Sequence, residues 1–306
     1  MMRLMLVLLG AAVVCAGLVL AGCPKPPGEG EGEGEGEGEI ETPGGMLTVP
    51  AGWFIMGALG RESGETKEHP RHNVYLDRYQ IGEHEVTNGA FVQALNWGLK
   101  EGRLQSSVGA SYESGDVYAY GKLLLKETSK YCLIEYTGEG FAAELRNDTS
   151  MSTHPVVMVT WYGAVVYCNW LSEIEGRTPV YDLETWTRIK PAPDGYRLPT
   201  EAEWERAAAW DSTLDWDVLP DGTTGGHWIY GFQSDTVDTS RCNCDKPNPL
   251  ELSDTPYTTP VGYYSNVVSS IGCYDMSGNA SEWCHDWYGS YESVSYTHLR
   301  AHETVL

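Results

Sequence analysis

The stretch Tyr196-Arg-Leu-Pro-Thr-Glu-Ala-Glu-Trp-Glu-Arg-Ala-Ala-Ala209 fixes where a helix begins, and it constrains this chain more than any other segment. Pro199 blocks helix on its N-terminal side, Thr200 with Glu203 forms a capping box, and Glu201, Glu203 and Glu205 load the positive end of the helix dipole. Read alone, the three glutamates are a solvated helix face and not acid–base catalysts. Residues 210–270, which follow, are rich in Gly, Asp and Thr with few apolar runs, so this half of the chain is expected to be mostly loop. Aromatic usage agrees, since 19 Tyr and 11 Trp against 4 Phe suit rings buried at one end and hydrogen-bonded at the other. A bundle of long helices is excluded.

Other elements are short. In Met46-Leu-Thr-Val-Pro-Ala-Gly-Trp-Phe-Ile-Met-Gly57, two apolar runs broken by Pro50-Ala51-Gly52 predict a hairpin. His72-Asn-Val-Tyr-Leu-Asp-Arg-Tyr79 alternates Val74, Leu76 and Arg78 with Tyr75, Asp77 and Tyr79, which predicts a half-buried strand. Thr87 caps a helix running to about Asn96, with Phe91, Val92 and Leu95 at helical spacing. Glu83, His84 and Glu85 before it read as a solvated turn. Residues 100–150 lack sustained periodicity and are expected to be an insertion. Trp161, Val165, Cys168 and Leu171 recur every three or four residues, predicting a helix over residues 161–174 that Gly176 stops.

The N-terminus carries Arg3, an apolar run over residues 4–19 and then Leu20-Ala21-Gly22-Cys23. This is signal-peptide anatomy. It resembles a bacterial lipoprotein signal, which makes residues 1–22 the leader, Cys23 the lipid attachment point and the membrane a partner through that anchor. Pro24 to Pro27 and six Gly-Glu repeats follow over residues 28–39. A segment with no apolar face that repels itself stays extended, so residues 23–44 are expected to be a tether. At the other end, residues 293–306 break the pattern and resemble the translation of a sequencing-adaptor end, so the folded domain is expected to span residues 45–292 and to be incomplete at its C-terminus. With 43 acidic against 20 basic residues the net charge is −23, which excludes a general nucleic-acid binder, because counterion release at phosphates needs a basic face.

Beyond Cys15 and Cys23, six cysteines remain: Cys132, Cys168, Cys242, Cys244, Cys273 and Cys284. In an exported chain disulfides are permitted, and Cys242 and Cys244 are expected to find partners elsewhere. The most chemical segment is Gly272-Cys-Tyr-Asp-Met-Ser-Gly-Asn-Ala-Ser-Glu-Trp-Cys-His-Asp-Trp287. Asp275 and Glu282 offer carboxylates, while Gly278 and Asn279 permit backbone angles that turn carbonyl oxygens toward one point. Calcium needs six to eight such oxygens, and a turn closed by side-chain hydrogen bonds is the competing reading.

Together these pieces resemble the formylglycine-generating enzyme family, also called the sulfatase-modifying factor domain. Pro50-Ala-Gly-Trp-Phe-Ile-Met-Gly57 resembles its opening hairpin, Glu85-Val-Thr-Asn88 the start of its first helix, and His154-Pro-Val-Val-Met-Val-Thr-Trp161 the approach to its second. Residues 196–205 and 272–287 resemble its two most recognisable signatures. The resemblance implies an α+β fold of the C-type-lectin-like kind, with little regular secondary structure and structural calcium. It places one calcium loop at Asp275, the carbonyls of Gly278 and Ala280, and Glu282. A second maps to Asn243 and the Cys244 carbonyl, with Asp254 displaced by one position.

The family activity is copper-dependent oxidation of a sulfatase cysteine to formylglycine, with a sulfatase-like protein as substrate and two thiolates as copper ligands, as soft Cu(I) prefers. In the family those cysteines lie C-terminal to the Gly-Asn-x-x-Glu-Trp motif, a region expected to be absent here, so no catalytic residue carries over. Ser281 stands where the family has tryptophan, and Cys284 and His285 are also departures. The competing function is a non-catalytic C-type-lectin-like module, held off the membrane and binding a surface glycan or protein. An iron-dependent oxidase needs a histidine cluster, and His69-x-x-His72 before a strand does not provide one.

Overall fold

The computed structural model describes residues 14–16, 19–20, 45–58, 68–106, 112, 115–244, 249–250 and 257–287. Cys23, the Gly-Glu repeats, Asp254 and residues 293–306 lie outside the described residues. Among the described residues there are three helices, α1 (Asn88–Lys100), α2 (Trp161–Ile174) and α3 (Glu201–Ala209), set among small sheets of two to four short strands. This is an α+β fold with little regular structure.

Each helix begins where its cap dictates. Thr87 accepts from the Ala90 N–H and Thr160 from the Gly163 N–H, while Thr200 and Glu203 form the reciprocal capping box. α1 runs four residues past Asn96. α2 has the expected bounds, and Gly176 follows it at φ 68°, a conformation that glycine adopts without steric cost.

The opening segment departs from expectation. Met46–Val49 pairs antiparallel with Tyr79–Gly82, whereas Gly52–Met56 pairs antiparallel with His72–Leu76, so the two runs belong to different sheets and form no hairpin with each other. Pro50 has no N–H to give a ladder and Gly52 takes φ 153°, so the chain turns a corner between sheets there. The strand alternation holds over His72–Leu76, with Val74 and Leu76 buried and Tyr75 exposed, and Trp53 packs edge-on against Tyr75 at 5.4 Å.

Two cores result. The larger joins α1 and α2 through Phe91, Leu95, Val165 and Trp170, and it draws in Leu104, Val117, Leu124, Leu125, Ile134 and Phe141. Those six residues come from the segment expected to be an insertion; it is woven into the core, and its lack of periodicity reflects strands of only two to four residues. Gly98 lets α1 approach α2, since a Cβ there would stand 2.6 Å from the Trp170 ring. The second core places Ala207, Ala208 and Ala209 of α3 with Phe54, Val74, Leu76, Tyr79 and Ile81. The glutamates of α3 are not all solvated, as read from sequence. Glu203 pairs with Arg197 inside the protein, and Glu205 Oε1 accepts the Gly57 N–H at 2.7 Å and lies 3.2 Å from His227 Nε2.

Parts of the N-terminal apolar run also hold strand positions. Val14–Ala16 runs parallel to Ser281–Trp283, and Val19–Leu20 lies between Tyr79–Gly82 and Tyr196–Arg197 in a four-stranded sheet. No described helix is long and apolar enough to cross a membrane.

Candidate functional site

The segment 272–287 is where the candidate ligands gather. Asp275 and Asn279 take φ 55° and 63°, left-handed values that Asp and Asn tolerate best among residues with a side chain. Gly278 is required for a different reason from the one read in the sequence: a Cβ there would stand 2.6 Å from the Asn243 carbonyl oxygen. That close approach joins the two stretches the sequence singled out separately. The Asn279 N–H donates to the Asn243 carbonyl at 3.0 Å, and the Asn243 side-chain amide donates to the Tyr257 carbonyl and to Asn279 Oδ1. Asn279 Oδ1 also accepts the Thr259 N–H at 2.8 Å, so one side chain fastens three loops.

Asp275 Oδ2 accepts the Gly262 N–H at 2.7 Å. Burial pushes its carboxyl above the usual carboxylate range, against the lowering effect of that N–H and of His84. Glu282, on the strand Ser281–Trp283, is raised to about 7, first by burial, with the Asp275 charge adding and the Trp204 indole opposing. The indole N–H of Trp283 donates to the Val159 carbonyl at 3.0 Å, and that of Trp161 to the Cys284 carbonyl at 3.2 Å. These bonds pin the strand to the start of α2.

One residue of this place was misread. Glu85 is 4% exposed and not in a solvated turn, and neither of its carboxylate oxygens has a hydrogen-bond partner. Burial raises its pKa well above the ordinary value, and the charges of Asp275 and then Glu282 raise it further. Three carboxylates from two distant parts of the chain therefore lie within one another's field. The signal available in the sequence was the apolar context after it, Val86 followed by the capping Thr87, which buries the turn along with the helix start.

Among the described residues no three Asp, Glu, His or Cys side chains form a ready cage for a metal ion. A hard cation here would take its remaining oxygens from backbone carbonyls and side-chain amides, which suits calcium and its flexible coordination. The buried, unpartnered oxygens of Glu85 fit such an ion. Copper fits poorly. Cys242 and Cys244 are disulfide-bonded to each other, their Cα atoms 5.3 Å apart, and not to partners elsewhere. Cys132, Cys168 and Cys273 are free and buried, and burial raises all three thiols, Cys132 and Cys273 to about 12. Cu(I) binding there would have to displace protons from thiols that burial holds protonated.

The two signature segments meet at the start of α3. Asp286 Oδ2 accepts the Glu201 N–H at 2.6 Å and the His285 N–H donates to the Pro199 carbonyl at 2.8 Å. Burial, with Arg188 and Arg197 nearby, depresses the His285 imidazole to about 3, so it is neutral. Cys284 and His285 therefore belong to the seam between signatures.

The model of the sulfatase-modifying factor enzyme 1-like domain matches residues 35–303. The serine/threonine-protein kinase pkn1 of Chlamydia caviae is 30% identical over 80% of this chain, which spans only 28% of that protein's length. The formylglycine-generating enzyme of Streptomyces coelicolor is 29% identical over 80% of this chain and 69% of its own. The solved structure of Treponema denticola variable protein 1 shares the fold, with TM-score 0.50 at 20% identity, covering 84% of this chain and 79% of that one. The capped helix, the two interlocked signature segments and a family match spanning nearly the whole chain together place this protein in the sulfatase-modifying factor family, to which the formylglycine-generating enzymes belong.

Proposed function

We propose that the protein is an exported lipoprotein, anchored through Cys23 and held off the membrane by the Gly-Glu tether, whose folded part is a formylglycine-generating-enzyme-like domain stabilised by calcium at the 272–287 loop. The family activity, oxidation of a cysteine in a sulfatase-like protein to formylglycine, is the reaction to test first. The observation that carries the reading is the joining of the two signature segments at the start of α3 and around Asn279.

A second reading is a tethered, non-catalytic binding module for a surface glycan or protein. Cys132, Cys168 and Cys273 are buried and Cys242 and Cys244 are bonded to each other, so none of these five stands ready as an open thiolate. One assay separates the two. The protein is loaded with Cu(I) under air and mixed with an unfolded cysteine-containing sulfatase peptide, and the peptide is followed by mass spectrometry. Conversion of cysteine to formylglycine supports the oxidase. An unchanged peptide, from protein that is folded by circular dichroism, sinks the oxidase reading and leaves the binding module.

A further inference from the structure

We propose that Cys242 and Cys244 form a reversible redox site, opened by a dithiol and closed again by a disulfide oxidant, whose closed form holds Asn243 where it clamps the loops 257–262 and 275–282. Such a site depends on neither functional reading of the domain. Three observations carry it.

The first is the size of the loop the bond closes. Cys242 and Cys244 are separated by two positions in the chain, so the bond encloses Asn243 alone. A cross-link restricts the unfolded chain less as the loop it closes becomes shorter, so this one is a poor staple for the fold as a whole. What it fixes is local: the backbone of Asn243, held from both sides. The second observation is what hangs on that residue. The Asn243 carbonyl accepts the Asn279 N–H at 3.0 Å, and the Asn243 side-chain amide donates to the Tyr257 carbonyl at 2.8 Å. Asn279 Oδ1 in turn accepts the Thr259 N–H. A turn of the Asn243 backbone therefore loosens two loops at once.

The third is that Cys242 has an approach from outside and a place for its reduced form. It lines a small cleft with Phe232, Arg241, Val267 and Met276, whereas Cys132, Cys168 and Cys273 sit inside the two cores. The Asp238 carbonyl stands 3.3 Å from Cys242 Sγ. A disulfide sulfur has no proton to give it, but a thiol does, so the reduced state gains a hydrogen bond without rearrangement. Exchange then runs in two steps. A thiolate of the reductant attacks one cysteine sulfur, the bond between Cys242 and Cys244 breaks, a mixed disulfide forms and the other cysteine leaves as thiolate. The reductant's second thiolate attacks the mixed disulfide and closes it into a cyclic disulfide. Two electrons and two protons pass to the cysteines, which end as two thiols, and the reductant is oxidised.

The test uses the full chain in its folded state, with dithiothreitol as reductant and glutathione disulfide as oxidant. Thiols are read residue by residue by alkylation and peptide mapping, and amide hydrogen exchange is followed in both states. The expected result is that Cys242 and Cys244 open and close together without unfolding, while Cys132, Cys168 and Cys273 stay unlabelled. In the reduced state the loops 257–262 and 275–282 should exchange about tenfold faster, as the loss of one or two hydrogen bonds implies, with α1 and α2 unchanged. Asn243→Ala should show part of that gain while oxidised. The double variant Cys242→Ser, Cys244→Ser should exchange like the reduced protein whether or not dithiothreitol is present, and if it does not fold, the wild-type protein in its two states decides alone. A disulfide that opens only in denaturant would overturn the redox site. Opening in the folded protein with unchanged exchange in both loops would overturn the clamp.

Discussion

Arg197 and Glu203 meet through two buried hydrogen bonds, Nη1 to Oε2 at 2.6 Å and Nη2 to Oε1 at 2.7 Å. Glu203 Oε2 also accepts the Thr200 N–H at 2.8 Å, so the capping carboxylate of α3 is at the same time the counter-ion of a buried guanidinium. Removing the carboxylate leaves Arg197 charged and alone inside the protein. Glu203→Gln should therefore cost about 3–5 kcal/mol in urea unfolding, whereas Thr200→Ala, which loses only a cap, should cost about 1 kcal/mol. Equal losses would mean that the pair adds nothing beyond the cap.

The same pair sets an acid limit. Burial alone would raise the Glu203 carboxyl, but Arg197 and the Thr200 N–H outweigh it and hold it at about 2. An unfolded glutamate titrates near about 4.3, so the folded state binds this proton less readily, and the stability Glu203 confers is fully present above that value. It is lost as pH falls from about 4.3 toward 2, and it amounts to about 3 kcal/mol. Urea midpoints of wild type and Glu203→Gln, taken at several pH values, should differ most at neutrality and converge in this window. A constant gap would show that ionisation of Glu203 is not what matters.

The sequence was most legible where a local rule decides. Thr87, Thr160 and Thr200 each cap a helix by side-chain chemistry that needs no tertiary knowledge, and all three starts are found where expected. It was least legible where a long-range contact decides. Whether residues 46–49 pair with 52–56 or with 79–82 depends on a sheet assembled from distant strands, and two-residue strands such as Tyr196–Arg197 leave no period to read. The site divides in the same way. Asp275, Gly278, Asn279 and Glu282 sit in one motif, but Glu85 lies about 190 residues earlier, and its burial follows from packing that no local pattern encodes.

Gly163 offers a test of packing against helix propensity. In an exposed helix, Gly→Ala gains up to about 1 kcal/mol. Here the added Cβ would stand 2.3 Å from the Leu124 carbonyl oxygen, and that is backbone, which cannot move aside as a flexible side chain would. Gly163→Ala should lower the thermal midpoint and expose the larger core to hydrogen exchange. A raised midpoint would mean that α2 can slide along the strand Lys122–Leu125 without cost.

The N-terminal run gives a prediction about processing. Val19–Leu20 fills the space between Tyr79–Gly82 and Tyr196–Arg197, and Val14–Ala16 pairs with Ser281–Trp283. A chain beginning at Cys23 lacks both strands, and the ladder groups they paired must find water or another strand. Such a chain, compared with the full one, should exchange amide hydrogens faster at residues 79–82, 196–197 and 281–283 and slower nowhere. Identical exchange in the two would show that these edges do not depend on the leader.

Thiol chemistry separates the cysteines by burial. The Cys132, Cys168 and Cys273 thiols are buried and raised by that burial, so at neutral pH they are both inaccessible and protonated. Alkylation requires the thiolate, so these three should resist iodoacetamide in the native protein and react together only on unfolding. Cys284 is partly exposed, in the strand-to-loop step after Trp283, and its carbonyl is held by the Trp161 indole. It should therefore label first among Cys132, Cys168, Cys273 and Cys284, as read by peptide mapping after a short pulse. Cys242 and Cys244 should label only after a reductant is added. Fast labelling of Cys132 or Cys273 in the folded protein would place a reactive thiolate in a core that the structure shows as closed.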